Sequence, residues 1–147
     1  MPVIGISIRE IDAKRFEDLA SGGVKVDNRT NLREIKEQNI PTLDKKGLNV
    51  SFEFKTQYTT ENNKKIAEIN LLGDVLLIDE KQEQILKDWK KDKKLPDDVN
   101  IQIVNTILRK CLTKALTISE ELQLPPPLAI PFASKKEEGK EESRYIG

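Results

Sequence analysis

Apolar and polar positions follow two periods along the chain. In residues 3–16, Ile4, Ile6 and Ile8 stand at every second position, the period of a half-buried strand, and the phase then slips through Ile11 and Ala13 to Phe16. A bulge or a bend across the sheet absorbs such a slip. Ser21, Gly22 and Gly23 mark a turn, and Val24-Lys25-Val26 has room only for a short extra strand. From 27 to 47, mixed charges, Pro41 and scattered Leu32, Ile35, Ile40 and Leu43 predict a long excursion over the surface. Clear alternation then returns. Val50, Phe52, Phe54 and Tyr58 point one way and Ser51, Glu53, Lys55, Gln57 and Thr59 the other, so one face is buried and one is wet. The polar turn Glu61-Asn62-Asn63-Lys64 joins this strand to residues 66–78 as an antiparallel hairpin. In that second arm Ala67, Ile69 and Leu71 alternate with Glu68 and Asn70. Residues 71–78 are apolar on both faces apart from Asp74, a pattern that asks for a helix on one side and a second copy on the other.

The period then changes to that of helices. A short helix from Asp79 or Glu80 to about Lys91 turns Ile85, Leu86 and Trp89 inward, with Asp79 placed to accept the free amide hydrogens of its first turn. Leu95-Pro96 breaks it, and Asp97 caps the next. Over residues 97–123, Val104, Ile107, Leu108, Cys111, Leu112, Ala115, Ile118 and Leu122 recur at three- and four-residue steps. A second set, Ile101, Ile103 and Leu116, widens the stripe beyond what one small sheet needs. A helix of this span is roughly 40 Å long. Pro125, Pro126 and Pro127 end it. Leu128, Ile130 and Phe132 alternate in an extended arm, and residues 134–144 are low-complexity charge, expected to be disordered. The expected fold class is α+β: a small antiparallel sheet of three to four strands, then a short helix and a long C-terminal helix. It forms one domain over residues 1–132, followed by a charged tail over 133–147.

Composition narrows the chemistry. The 147 residues, 37% of them hydrophobic, suffice for one modest core. Lysine plus arginine and aspartate plus glutamate are equal at 25 each, so no global field draws in nucleic acid or an anionic membrane. The start, MPVIGISIREIDAKR, has no basic lead before its apolar run, and no apolar stretch is long enough to span a bilayer, which predicts a soluble, cytoplasmic protein without membrane insertion. There is no histidine, the usual acid–base group and metal ligand near neutral pH. The single cysteine, Cys111, lies on the apolar stripe as a small hydrophobe. Seven glycines build no phosphate-cradling loop, and the carboxylates are interleaved with lysines as a solvated surface. The chain is therefore expected to be no enzyme, with no catalytic residue, metal or cofactor. Its 34% charged content also fits a thermophile's protein.

The order of strands, short helix, proline-bearing break and long helix over residues 3–132 resembles the SecB-type export chaperones and their archaeal relatives. The local match is best from the strand at 66–78 into Trp89, through Leu95-Pro96, to the helix carrying Ile107, Leu108, Arg109 and Cys111 and ending at Leu122-Gln123-Leu124-Pro125. The resemblance implies a non-enzymatic, ATP-independent binding protein that holds unfolded or extended polypeptides in apolar grooves of a homodimer or homotetramer. Carried onto this sequence, the groove residues are Val50, Phe52, Phe54, Tyr58, Trp89, Leu95, Leu128, Ile130 and Phe132. Those expected between copies are Leu72, Leu76, Ile78, Ile101, Leu112 and Leu116. Export chaperones of this type are markedly acidic, whereas this chain is neutral with a basic helix.

That basic helix supports a second reading. Lys87, Lys90, Lys91, Lys93 and Lys94 cluster around Trp89, a pattern suited to phosphate contact, and would make the protein a ribosome- or RNA-associated factor. Asp88 and Asp92 interleave with them, so an ordinary solvated helix face competes with that reading.

Overall fold

A computed structural model describes residues 3–17 and 23–128. Four antiparallel strands, β1 (Val3–Arg15), β2 (Val24–Ile40), β3 (Lys45–Thr60) and β4 (Lys65–Leu77), form one sheet in the order β1-β4-β3-β2. Helices α1 (Gln82–Asp92) and α2 (Asp97–Glu121) follow. This is the α+β class predicted above.

The hairpin β3–β4 is the centre of the sheet, and its alternation is as read from sequence. Val50, Phe52, Phe54, Thr56 and Tyr58 of β3, and Ala67, Ile69, Leu71 and Val75 of β4, lie fully covered on the face that carries the helices. The turn closes because Asn63 adopts the left-handed conformation (φ 61°), which asparagine tolerates, and Thr60 accepts its N–H (2.9 Å). Gly73 is required where β1, β4 and β3 meet. A Cβ there would collide with the Ser7 carbonyl oxygen and the Phe52 ring.

The other sheet face is polar and knitted by charge. Arg9 Nε meets Asp74 Oδ2 at 2.6 Å, and the Ser51 hydroxyl donates to Asp74 Oδ1 (3.3 Å). Lys55 and Lys65 reach the two oxygens of Glu68 at 3.3 and 3.4 Å. Burial alone would raise the Glu68 pKa, but these two ammonium groups hold it below the usual carboxylate range. Its contribution to stability is present above the unfolded-state pKa and is lost as the pH falls.

One edge follows the expectation of a bulge and the other departs from what was expected. The slip in β1 is a pair of bulges, between Val3 and Gly5 and between Ile8 and Glu10, which keep Ile6, Ile8, Ile11 and Ala13 in register with the helix face of β4. The surface excursion predicted for residues 27–47 is instead the 17-residue strand β2, a 3₁₀ turn at Pro41–Leu43 and the start of β3. β2 is an edge strand, so most of its side chains meet water. A bulge between Leu32 and Glu34 also shifts its phase, so that Leu32 and Ile35 reach the same face at odd spacing. Neither fact leaves a clean period in the sequence.

Asp79 acts just ahead of α1 rather than as its cap: its Oδ1 accepts the Lys81 N–H (2.7 Å), while Lys81 itself stands at the cap position. Pro96, not Asp97, caps α2, and Asp97 and Asp98 occupy its first turn, where negative charge suits the helix dipole. The buried row of α2 is Val99, Ile103, Ile107, Cys111, Ala115 and Ser119, one residue every four. Ile103, assigned by sequence to the spare set, belongs to this row. At the far end Gln123 adopts φ 55°, and the amides of Leu124 and Gln123 bond the carbonyls of Ser119 (2.8 Å) and Glu120 (3.2 Å). This is a Schellman closure with glutamine where glycine is usual.

Candidate functional site

α1 packs on β2 and β3, whereas α2 lies mainly over β1 and β4. The start of α1 is pinned by Gln82, whose Nε2 donates to the Lys46 carbonyl (2.8 Å). At the opposite end of β2 and β3 the proline segment after α2 crosses the sheet. There the Tyr58 hydroxyl donates to the Pro125 carbonyl (2.7 Å) and Asn28 Nδ2 to the Pro127 carbonyl (2.8 Å), with Thr56 Oγ1–H holding Asn28 Oδ1 (2.7 Å). Prolines expose carbonyls without amides, so acceptor-only contacts suit them. This latch was not legible from sequence, because Asn28 lies in the segment read as a surface loop.

The residues assigned to an apolar groove divide into three groups. Val50, Phe52, Phe54 and Tyr58 are sealed in the core of this chain, so they are the floor under the helices. Trp89, one turn after Ile85, is only 7% exposed, and its indole N–H has no partner among the described residues. Leu95 is half-buried beside the same core, together with Leu86, and Leu128 is exposed at the end of the proline segment. Ile130 and Phe132, and the tail over 133–147, lie outside the described residues. So do Ser21 and Gly22 of the expected turn.

Residues assigned between copies are placed on two surfaces. Leu72, Leu76 and Ile78 are half-buried, the first two on the polar sheet face among the ion pairs. On α2, Leu112 and Leu116 stand half-buried in a flank with Val104 and Leu108, and Ile101 is 58% exposed. The opposite flank of α2 carries Thr106, Lys110 and Lys114. The lysines of the α1 cluster, Lys87, Lys90, Lys91, Lys93 and Lys94, are all exposed, and Lys93 Nζ stands 5.5 Å from the centroid of the Trp89 ring. That ring is inside, so it offers no exposed face for a base to stack on.

Two buried groups are shifted in pKa. Burial pushes Tyr58 up to about 12, against a smaller opposing effect of a hydrogen bond with Ser119. Burial likewise pushes the Cys111 thiol up to about 12, opposed by the charge of Lys110, so the thiol is protonated near neutral pH and a poor nucleophile. No group of three histidine, cysteine, aspartate or glutamate side chains able to hold a metal occurs among the described residues. No described helix is long and apolar enough to cross a membrane.

No protein-family model matches the sequence, and no curated protein matches it. A solved structure does match: the Mycobacterium tuberculosis Rv1957 SecB-like chaperone in complex with a ChAD peptide from the Rv1956 HigA1 antitoxin. The likeness has a TM-score of 0.60 at 13% identity, over 91% of this chain and 91% of that one. The fold is SecB-like. Identity this low carries the architecture alone, and the neighbour is bacterial, so the archaeal side of the resemblance gains no support from it. Within the SecB-like fold, the strand β4, the break at Leu95-Pro96 and the long helix follow the order that the resemblance implied.

Proposed function

We propose that this chain is a non-enzymatic, ATP-independent polypeptide-binding protein of chaperone type, active as a homodimer or homotetramer. The observation that carries this reading is the surplus of half-buried aliphatic side chains around a core that is already sealed. Leu86 and Leu95 adjoin Trp89, and Val104, Leu108, Leu112 and Leu116 line one flank of α2. Apolar surface of this kind covers extended polypeptide or another copy at no cost in new structure. The likeness to a SecB-like chaperone solved with a peptide supports the same reading.

Clients are held, on this account, along Trp89, Leu95 and Leu128, with Ile130 and Phe132 extending the surface. Trp89 lies beneath this surface, its indole N–H buried and without a partner among the described residues. The copies meet through the aliphatic flank of α2, with Leu112 half-buried in it and Ile101 exposed.

The test is light scattering from a chemically unfolded client diluted into buffer without nucleotide. Excess protein is expected to suppress aggregation. Leu95→Asp, at a half-buried position beside Trp89, should weaken suppression. Unchanged aggregation at excess folded protein would refute the proposal.

A further inference from the structure

The apolar surface beside Trp89 is bordered by positive charge, and that charge is sorted around α1. Successive residues turn about 100° around a helix, which places Lys90 about 40° from Leu86 and Lys93, at the C-cap, about 20° from it. The acids that interleave with these lysines in sequence stand elsewhere. Asp88 is about 160° round from Leu86 and Asp92 about 120°. Asp88 Oδ1 also accepts a hydrogen bond from Gln84 Nε2 (2.9 Å). On α1 the acid nearest to Leu86 is Glu83, about 60° away and one turn earlier.

β2 supplies a further cation. Its register passes from Leu32 against Phe52 to Glu34 against Ser51, so Arg33 is the extra residue of the bulge. A depression of about 480 Å³ brings Arg33 together with Lys93 from the end of α1 and Arg9 from β1, and Glu34 is the acid on its lining. Arg9 is engaged by Asp74, whereas Lys90, Lys93, Lys94 and Arg33 have no ion pair among the described residues. All four are exposed, and Lys94 directly precedes Leu95.

Beyond Leu95 the sign of charge changes. Asp97 and Asp98 occupy the first turn of α2, where the helix dipole and its free amides offset them. The cations around Leu86 and Leu95 therefore face only Glu83 and Glu34 as uncompensated acids. An apolar segment that brings its own carboxylates meets this surface with complementary charge. A segment that brings lysines is repelled.

We propose that the polypeptide segments taken by this surface are aliphatic and acidic, with Leu86 and Leu95 covering their apolar side chains and Lys90, Lys93, Lys94 and Arg33 meeting their carboxylates. This selectivity rests on the polypeptide-binding reading above, to which it adds a sign of charge. Apolar cover is indifferent to sequence, and the cations give it a preference. A nucleic acid fits less well: Trp89 and Phe52, the rings that adjoin these cations, are buried and offer no face for stacking.

The experiment is fluorescence anisotropy with two labelled peptides of glycine, serine and leucine, one with glutamate after each leucine and the other with lysine. A labelled single-stranded oligonucleotide is the third ligand. The parent should bind the glutamate peptide about tenfold or more tighter than the lysine peptide at low salt, on the scale of two to three charge contacts, and salt should narrow the gap. K90E/K93E, at exposed positions, should reverse the order, which an unfolded variant could not do. K81E/K91E changes the net charge equally, but both positions lie about 140° round α1 from Leu86, so the order should stay as in the parent. Four results would each overturn the charge selection while suppression of client aggregation still stands: equal binding of both peptides by the parent, an order unmoved by K90E/K93E, the same reversal in K81E/K91E, or tighter binding of the oligonucleotide than of the glutamate peptide. Absence of suppression by the parent would remove the polypeptide-binding reading itself, and the selectivity with it.

Discussion

The two flanks of α2 share one buried row and differ in everything else. Val104, Leu108, Leu112 and Leu116 stand on one side of that row, and Thr106, Lys110 and Lys114 on the other. The row at Val99, Ile103, Ile107, Cys111, Ala115 and Ser119 is the buried contact of the helix with the sheet, and Leu108, Leu112, Ile118 and Leu122 pack partly buried beside it. A four-residue step drifts about 40° around a helix, so the row winds along α2 and carries a flank on either side of it. The contrast teaches that burial and recognition are divided by angle around one helix rather than by domain.

The sharpest way to break the contrast is to attack the shared row. Ile107→Asp puts an unpaired charge at a fully covered position and should remove roughly 3–5 kcal/mol, much of the stability of such a domain. Circular dichroism should show loss of the cooperative thermal transition. Leu112→Asp, one flank away, should leave the chain folded and shift it in sedimentation velocity from oligomer to monomer. An unfolded Leu112→Asp would show that the aliphatic flank belongs to the core after all.

How much of this was legible in the sequence depends on how much of each element is buried. The β3–β4 hairpin was readable because Val50, Phe52 and Phe54 face a helix layer while Ser51, Glu53 and Lys55 face water. β2 was not, since an edge strand with a bulge at Arg33 carries neither a clean period nor enough apolar residues. The aliphatic surplus on α2 was visible as a widened stripe, but Ile103 could not be separated from Ile101 without knowing the angle at which the helix lies. The latch from Tyr58 and Asn28 to the proline carbonyls depends on contacts 67 and 99 residues apart, which no local pattern encodes.

That latch gives two smaller effects. Tyr58→Phe removes the bond to the Pro125 carbonyl and should cost about 1 kcal/mol in denaturant titration. Tyr58 and Cys111 both have folded pKa values raised to about 12, from 10.0 and 9.0. A raised pKa contributes stability that is whole below the unfolded value and vanishes as the pH rises toward the folded one. Stability should therefore fall between pH 9 and 12, and the double variant Tyr58→Phe, Cys111→Ala should show a flatter profile over that range.

The smallest effect separates the flanks by sign. Lys110→Glu replaces a like-charged pair with an opposite pair four residues before Lys114, so it should raise the melting temperature slightly at low salt, by about 0.2–0.5 kcal/mol in stability.

The most direct measurement is the aggregation of an unfolded client, followed by light scattering without nucleotide, with Trp89 fluorescence recorded in parallel. The account predicts suppression that rises with protein concentration and a shift in Trp89 emission when an extended apolar peptide binds. Full aggregation at excess protein, with Trp89 emission unmoved by the peptide, would contradict it.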